Sequence, residues 1–68
     1  MKYCDEILST VQDFKWHNLE EINEVIHISP DQLREIISFL QEKSLIEKSK
    51  IEEIKITNKG LRFLELPV

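Results

Sequence analysis

A chain of 68 residues is long enough for one domain and too short for two, so we expect a single small domain spanning residues 1–68. Its 41% hydrophobic and 32% charged residues are typical of a globular protein rather than a disordered one. The lone cysteine cannot form an intramolecular disulfide, no apolar stretch approaches the roughly 20 residues of a membrane helix, and the N-terminus has no signal-peptide core. These features argue against a secreted scaffold or a membrane protein, and they predict a cytoplasmic one.

The net charge of −4 is distributed unevenly along the chain. Residues 1–42 carry nine acidic and three basic residues, whereas residues 43–64 carry six basic and three acidic residues. The whole-chain charge disfavours nucleic acid as a partner, while the charge of the C-terminal third favours it. Alternatively, the surface charges alternate only for solubility.

Apolar residues at helical spacing predict two amphipathic helices in the first 26 residues. The first runs from about Lys2 to Asp13 and turns Cys4 and its apolar neighbours inward. A break at residues 15–17 leaves room for a short strand. Asn18 is then placed to cap a second helix, with Glu21 three residues later as in a capping box.

The third predicted helix has the clearest start signals in the chain. Ser29 is a strong N-cap residue, Pro30 fits the first helical position, and Gln32 is placed to complete a second capping box. The helix ends near Lys43 or Ser44, and its inward stripe consists of Leu33, Ile36, Ile37 and Leu40. Only about three residues separate it from the second helix, and so short a connection forces a sharp crossing typical of a helix-turn-helix.

The periodicity changes after Leu45. Ile54 and Ile56 alternate with polar residues, which predicts a half-buried strand, and residues 46–49 are the expected opposing strand. The turn near residues 50–52 lacks the Asn-Gly or Asp-Gly pair of a tight hairpin, so the register stays open. Thr57 or Asn58 then caps a short final helix that Pro67 closes.

Two stretches of this chain resemble a known family. The run Leu40-Gln41-Glu42-Lys43-Ser44-Leu45-Ile46 is similar to the end of the recognition helix in winged helix-turn-helix domains of small bacterial and archaeal transcriptional regulators. The run Ile56-Thr57-Asn58-Lys59-Gly60-Leu61-Arg62-Phe63-Leu64 is similar to the stretch that follows the wing in the same proteins. The resemblance implies an α+β, mostly helical fold with a three-helix core, a β-hairpin wing and a short C-terminal helix. The chain departs from the family pattern at Ser44, where Gly is usual, and in lacking basic residues at the start of the third helix.

In this family the third helix enters the major groove of double-stranded DNA. The resemblance therefore implies that Gln32 reads adenine, that Arg34 reads guanine or holds a phosphate, and that Ser38 contacts a phosphate. Ser29 would bind phosphate at the helix start, and Glu35 would accept a hydrogen bond from cytosine. The electrostatics oppose this interpretation, because residues 30–43 carry a net charge of −1 and would face a polyanion.

The wing would contribute Lys48 and Lys50, which we expect to contact the DNA backbone. A homodimer would double the small footprint of one helix and one wing. The alternative for these lysines is that they keep the hairpin soluble and protect its edge from pairing with other strands.

Nothing in the sequence indicates catalysis. Gly60 is the only glycine, so no glycine-rich phosphate loop exists, and His17, His27 and Cys4 lack the spacing of metal ligands. We therefore expect no enzymatic activity, no cofactor and no metal.

The rival functional hypothesis is a winged-helix module that binds a protein partner through the acidic face of the third helix and Phe39. Phe39 lies beside the inward stripe, where it either packs, under the wing or against Ile46, or stays exposed as a docking aromatic. Trp16 carries a similar ambiguity, between covering the hairpin and joining a dimer contact. Tyr3 and residues 63–66 are further candidate contact surfaces.

Overall fold

A computed structural model describes residues 2–65 of the protein as a mostly helical α+β fold, in agreement with the prediction. Its elements, in chain order, are α1 (Lys2–Thr10), β1 (His17–Asn18), α2 (Leu19–Val25), α3 (Pro30–Glu42), β2 (Ile46–Lys48), β3 (Glu53–Ile56) and α4 (Asn58–Glu65). The predicted stop at Pro67 lies outside the described residues.

Helix α1 ends at Thr10, three residues before the predicted end at Asp13. The Thr10 hydroxyl donates to the backbone carbonyl of Glu6, and the chain then turns through Phe14, which adopts a φ of 61°. A residue in this left-handed conformation cannot continue a right-handed helix. Val11 is nevertheless fully buried, so the apolar residues at helical spacing continue beyond the end of the helix.

The caps of α2 and α3 confirm the predicted starts. The Asn18 side chain accepts from the backbone N–H of Glu21 at 2.7 Å, and the Ser29 hydroxyl accepts from that of Gln32 at 3.1 Å. Pro30 occupies the first position of α3, as expected. Residues 26–29 connect the two helices, and the Asn23 side chain holds this connection by donating to two of its carbonyl groups.

Helix α3 ends in a Schellman motif at Ser44. The backbone N–H of Leu45 donates to the carbonyl of Leu40 at 2.9 Å, that of Ser44 donates to the carbonyl of Gln41, and Ser44 has a φ of 62°. The Thr57 hydroxyl donates to the Ser44 carbonyl at 2.7 Å and accepts from the backbone N–H of Gly60. One side chain thus joins the end of α3 to the start of α4.

The three strands form one antiparallel sheet in the order β1-β3-β2. Ile46 pairs with Ile56 in the hairpin, and His17 pairs with Ile54 on the other edge of β3. The turn closes without glycine because the Ser49 hydroxyl accepts two backbone N–H groups and Glu52 adopts a φ of 62°. The predicted hairpin and short first strand are therefore both present.

The core lies between α1, α2, α3, α4 and the inner face of the sheet. The buried apolar residues are Cys4, Ile7, Leu8, Val11, Ile22, Ile26, Leu33, Ile37, Leu40, Leu45, Ile46, Ile54 and Ile56. Ile36 is only half-buried, so the inward stripe of α3 is narrower than predicted. Gly60 lets α4 approach the hairpin closely, since a methyl group there would overlap the Leu45 carbonyl and lie 2.8 Å from Ile56 Cγ1.

Candidate nucleic-acid interface

One flank of α3 and the outer side of the hairpin share an open cleft of about 230 Å³. Arg34, Ser38 and Gln41 line it from the helix, and Lys48 lines it from β2. The acidic Glu52 of the hairpin turn also lines it, and we call the surface formed by Arg34, Ser38, Gln41 and Lys48 the α3–hairpin cleft. They converge because positions 34, 38 and 41 follow one another along a single helix face and β2 runs beside that face. The cleft therefore contains three of the predicted DNA-binding residues, namely Arg34, Ser38 and Lys48.

Each cation of the cleft has an acidic neighbour. Arg34 lies 3.9 Å from Asp31, with the two side chains 73% and 96% exposed. Lys48 lies 3.7 Å from Glu52 across the hairpin turn. Exposed pairs of this kind contribute about 0–1 kcal/mol, so a phosphate group can replace either carboxylate at little cost.

The other predicted residues lie outside the cleft, although all are exposed. Successive helical residues are rotated by about 100°, so Gln32 points about 160° away from Arg34, and Glu35 about 100°. Ser29 serves as the cap of α3, and Lys50 lies in the hairpin turn. The predicted set is thus split between surfaces, and Gln41, which the prediction did not include, lies inside the cleft.

A wider groove of about 620 Å³ continues the same surface toward the tip of the hairpin. The starts of α2 and α3 form one side, and Ile51, which is 73% exposed, forms the other. Glu20 and Glu52 also line this groove. The surface is therefore of mixed charge, and it is more acidic toward α2 than in the α3–hairpin cleft.

Phe39 lies on the opposite flank of α3 and does not pack under the hairpin. Its side chain is 39% exposed, and the Lys43 ammonium lies 5.8 Å from its ring centroid. It borders an apolar groove of about 460 Å³ together with Phe63 and Lys59. The neighbours of Phe39 across this groove are therefore basic, whereas Glu35 and Glu42, four residues before it and three after it in α3, lie beside it on the helix surface.

Trp16 lies against the hairpin, with the Lys55 ammonium 5.7 Å from its ring, and remains 45% exposed. Cys4 is buried below the apolar groove, and this burial raises the pKa of its thiol. A thiol with a raised pKa is a poor nucleophile at neutral pH, in line with the interpretation of Cys4 as a small core residue.

His17 is held between two carboxylates, a feature that the sequence analysis missed. Its Nε2 lies 2.8 Å from Asp13 Oδ1, and its Nδ1 lies 2.6 Å from Glu21 Oε2. The bonds to Asp13 and Glu21, in that order, raise the pKa of His17, while the bond from His17 lowers the pKa of Asp13. Glu21 therefore binds His17 rather than completing the predicted capping box. The sequence shows an acidic residue four positions before and four positions after His17, but this spacing implies proximity only within a helix, and these residues do not share one.

Within residues 2–65, no cluster of three or more His, Cys, Asp or Glu side chains is arranged to hold a metal ion. None of the helices in this part of the chain combines the length and the apolar character that crossing a membrane requires.

Comparisons of the chain with protein-family models, with curated proteins and with solved structures found no match.

Proposed function

We propose that this protein is a winged-helix protein that binds double-stranded DNA, as transcriptional regulators do. In this proposal α2 and α3 are the helix-turn-helix, α3 enters the major groove, and the β2–β3 hairpin is the wing. The observation that carries the proposal is the α3–hairpin cleft, where Arg34 of the helix and Lys48 of the hairpin line one open surface, with Glu52 as its acidic residue. A duplex inserted along α3 would meet both elements at once.

The charges of the cleft imply a division of roles. Lys48, together with Lys50 in the exposed turn, is placed to neutralise phosphates, which supplies affinity without sequence preference. Arg34 and Gln41 carry the side chains that recognise guanine and adenine edges in the major groove, and Ser38 between them can donate to a phosphate. With three cations near the DNA, we expect a slope of log affinity against log salt of about −3 per protein chain.

Fluorescence anisotropy of a labelled mixed-sequence duplex, measured across a salt series, tests the proposal. We expect Lys48→Ala with Lys50→Ala to weaken binding to all sequences and to reduce the salt slope by about 2. Arg34→Ala should instead weaken binding mainly to preferred sequences. Lys15→Ala is the matched control, because Lys15 is an exposed lysine outside the cleft.

Failure to bind any duplex at low salt would reject the proposal. Equal losses from the Lys48/Lys50 and Arg34 variants on every sequence would reject the division of roles while retaining DNA binding.

A further inference from the structure

The apolar groove beside Phe39 has a buried floor and two aromatic walls. Cys4, Leu40 and Leu45 form the floor, and the walls are Phe39 of α3 and Phe63 of α4, which are 39% and 40% exposed. Exposed aromatic side chains around an apolar floor mark interaction sites. Water in such a groove finds few hydrogen-bonding partners, so an apolar group that displaces this water gains free energy.

Two lysines stand at the rim of the apolar groove. Within residues 2–65, neither Lys43 nor Lys59 forms an ion pair with a carboxylate. The Lys43 ammonium lies 5.8 Å from the Phe39 ring centroid, and this contact keeps its charge beside the groove. Glu35 and Glu42 lie beside Phe39 on α3, but neither lines the groove. The groove therefore combines an apolar interior with a positively charged rim.

The size of the groove favours a small molecule over a protein as its occupant. Its volume of about 460 Å³ lies within the range of about 300–1,000 Å³ that is usual for small-molecule sites. A stable protein interface uses about 20–30 residues on each side, which is far more than line this groove. The occupant that matches both the size and the charge has an apolar body and one anionic group.

We propose that the apolar groove binds a free amphipathic carboxylate, such as a medium-chain fatty acid. The hydrocarbon chain lies between the rings of Phe39 and Phe63, and the carboxylate accepts hydrogen bonds from Lys43 and Lys59 at the rim. The groove and the α3–hairpin cleft lie on opposite flanks of α3, so the proposal does not depend on DNA binding.

Titration of isotope-labelled protein with octanoate, followed by the amide chemical shifts in NMR spectra, tests the proposal. Octan-1-ol and octylammonium are the matched ligands, because they carry the same chain with a neutral or a positive head group. We expect octanoate to shift the amides of Leu45, Gly60 and Phe63, with a dissociation constant of about 1 mM for so small a ligand. Octan-1-ol should bind about fivefold more weakly, since it forms no ion pair with the lysines, and octylammonium should bind more weakly still.

Substitutions at the rim and at the wall separate the two parts of the site. Lys43→Gln with Lys59→Gln removes both charges, so this variant should lose the preference for octanoate and bind octan-1-ol as the native protein does. Phe63→Ala removes one wall and should weaken the binding of both ligands. Lys2→Gln with Lys15→Gln is the matched control, an equal change of charge at two exposed lysines outside the groove, and it should keep the preference.

The amide spectrum of each variant also shows whether it is folded, and Phe39→Ala serves if Phe63→Ala is not. The proposal would be overturned by octanoate without effect at about 10 mM, by equal affinities for octanoate and octan-1-ol, or by a preference that survives the loss of both lysines. Groove amides that shift with protein concentration alone would assign the groove to a second copy of the chain and reject the fatty acid. Co-sedimentation with phosphatidylglycerol vesicles, without a response to free octanoate, would assign it to a membrane surface and likewise reject the proposal.

Discussion

The stability of the fold should depend on pH through the imidazole ring of His17. Both ring nitrogens lie within hydrogen-bonding distance of a carboxylate oxygen, an arrangement that favours the protonated ring and raises its pKa. A raised pKa in the folded protein means that protonation stabilises the fold. This contribution is complete below the ordinary His pKa of about 6.5 and is lost as the pH rises through the higher pKa of the folded state.

We therefore expect the melting temperature to fall as the pH rises above the ordinary His pKa of about 6.5 and His17 loses its proton. Thermal denaturation followed by circular dichroism at several pH values measures this. His17→Gln should remove the dependence, whereas His27→Gln at an exposed site should retain it. The lowered pKa of Asp13 affects stability in a different pH range. The stabilisation by ionised Asp13 is present above the ordinary Asp pKa of about 3.9 and is lost only in acid. A melting temperature independent of pH in the native protein would contradict this account.

Single residues could be predicted from the sequence where their role is local. Asn18 and Ser29 were assigned as caps because a side-chain oxygen at the first residue of a helix acts on a backbone group only a few positions away. The nearly opposite directions of the Gln32 and Arg34 side chains could also be predicted from helical geometry, although the resemblance implied that both residues contact DNA. The His17 pairing was not readable in the same way, because Asp13 lies outside any helix and its spacing of four residues there implies no proximity.

At the scale of elements, the junction between α3 and β2 contains a serine in a left-handed backbone conformation that favours glycine. Ser44 has a φ of 62°, a left-handed conformation that costs a non-glycine residue roughly 1–2 kcal/mol. Within residues 2–65 the Ser44 hydroxyl makes no hydrogen bond that glycine would lose, since the bonds at this position use the backbone groups of Ser44. We expect Ser44→Gly to raise the free energy of unfolding by about 0.5–1 kcal/mol, measured by urea denaturation.

Two glycine substitutions elsewhere provide controls for Ser44→Gly. Ser38→Gly, in the regular part of α3, should lower the stability by about 0.5–1 kcal/mol. Glu52→Gly, at the other left-handed position of the hairpin region, should raise it. A loss of stability on Ser44→Gly would show that the Schellman motif does not limit the stability of this junction.

Elements with strong periodicity were predicted well, and their ends and pairings were not. The alternation at Ile54 and Ile56 predicted β3, because side chains in a strand alternate between faces. The pairing of His17 with Ile54 joins residues that are distant in the sequence, and no local pattern encodes it. The end of α1 was missed because Val11 is buried in a turn, so its apolar character reflects tertiary packing and not helical periodicity.

On the scale of the whole molecule, α3 separates two surfaces with different chemistry. The flank facing the hairpin carries Arg34 and Ser38, and the flank facing α4 carries Phe39 and Lys43. The sequence supplied both sets of residues, but their division depends on where the hairpin and α4 pack, which is a tertiary property. The two flanks of α3 are therefore separate surfaces, and a ligand on one of them leaves the other exposed.

The small size of the core makes the whole fold sensitive to one truncation. A protein of this length has a total stability of about 3–10 kcal/mol. Leu40 is fully buried where α3 meets the Schellman turn, and removing such a side chain costs about 2–5 kcal/mol through lost burial and the cavity left behind. We expect Leu40→Ala to lower the midpoint of urea denaturation severely and to leave a measurable unfolded fraction in buffer alone.

Val25→Ala is the control for this truncation, because Val25 is 59% exposed and its loss should change the stability by less than about 0.5 kcal/mol. The measurement is made on dilute protein, since association with a second copy would stabilise the folded state by mass action and hide part of the loss. Equal effects of the two substitutions would contradict a core centred on Leu40. A loss for Leu40→Ala that shrinks as the protein concentration rises would instead show that the folded chain self-associates under the conditions of the measurement.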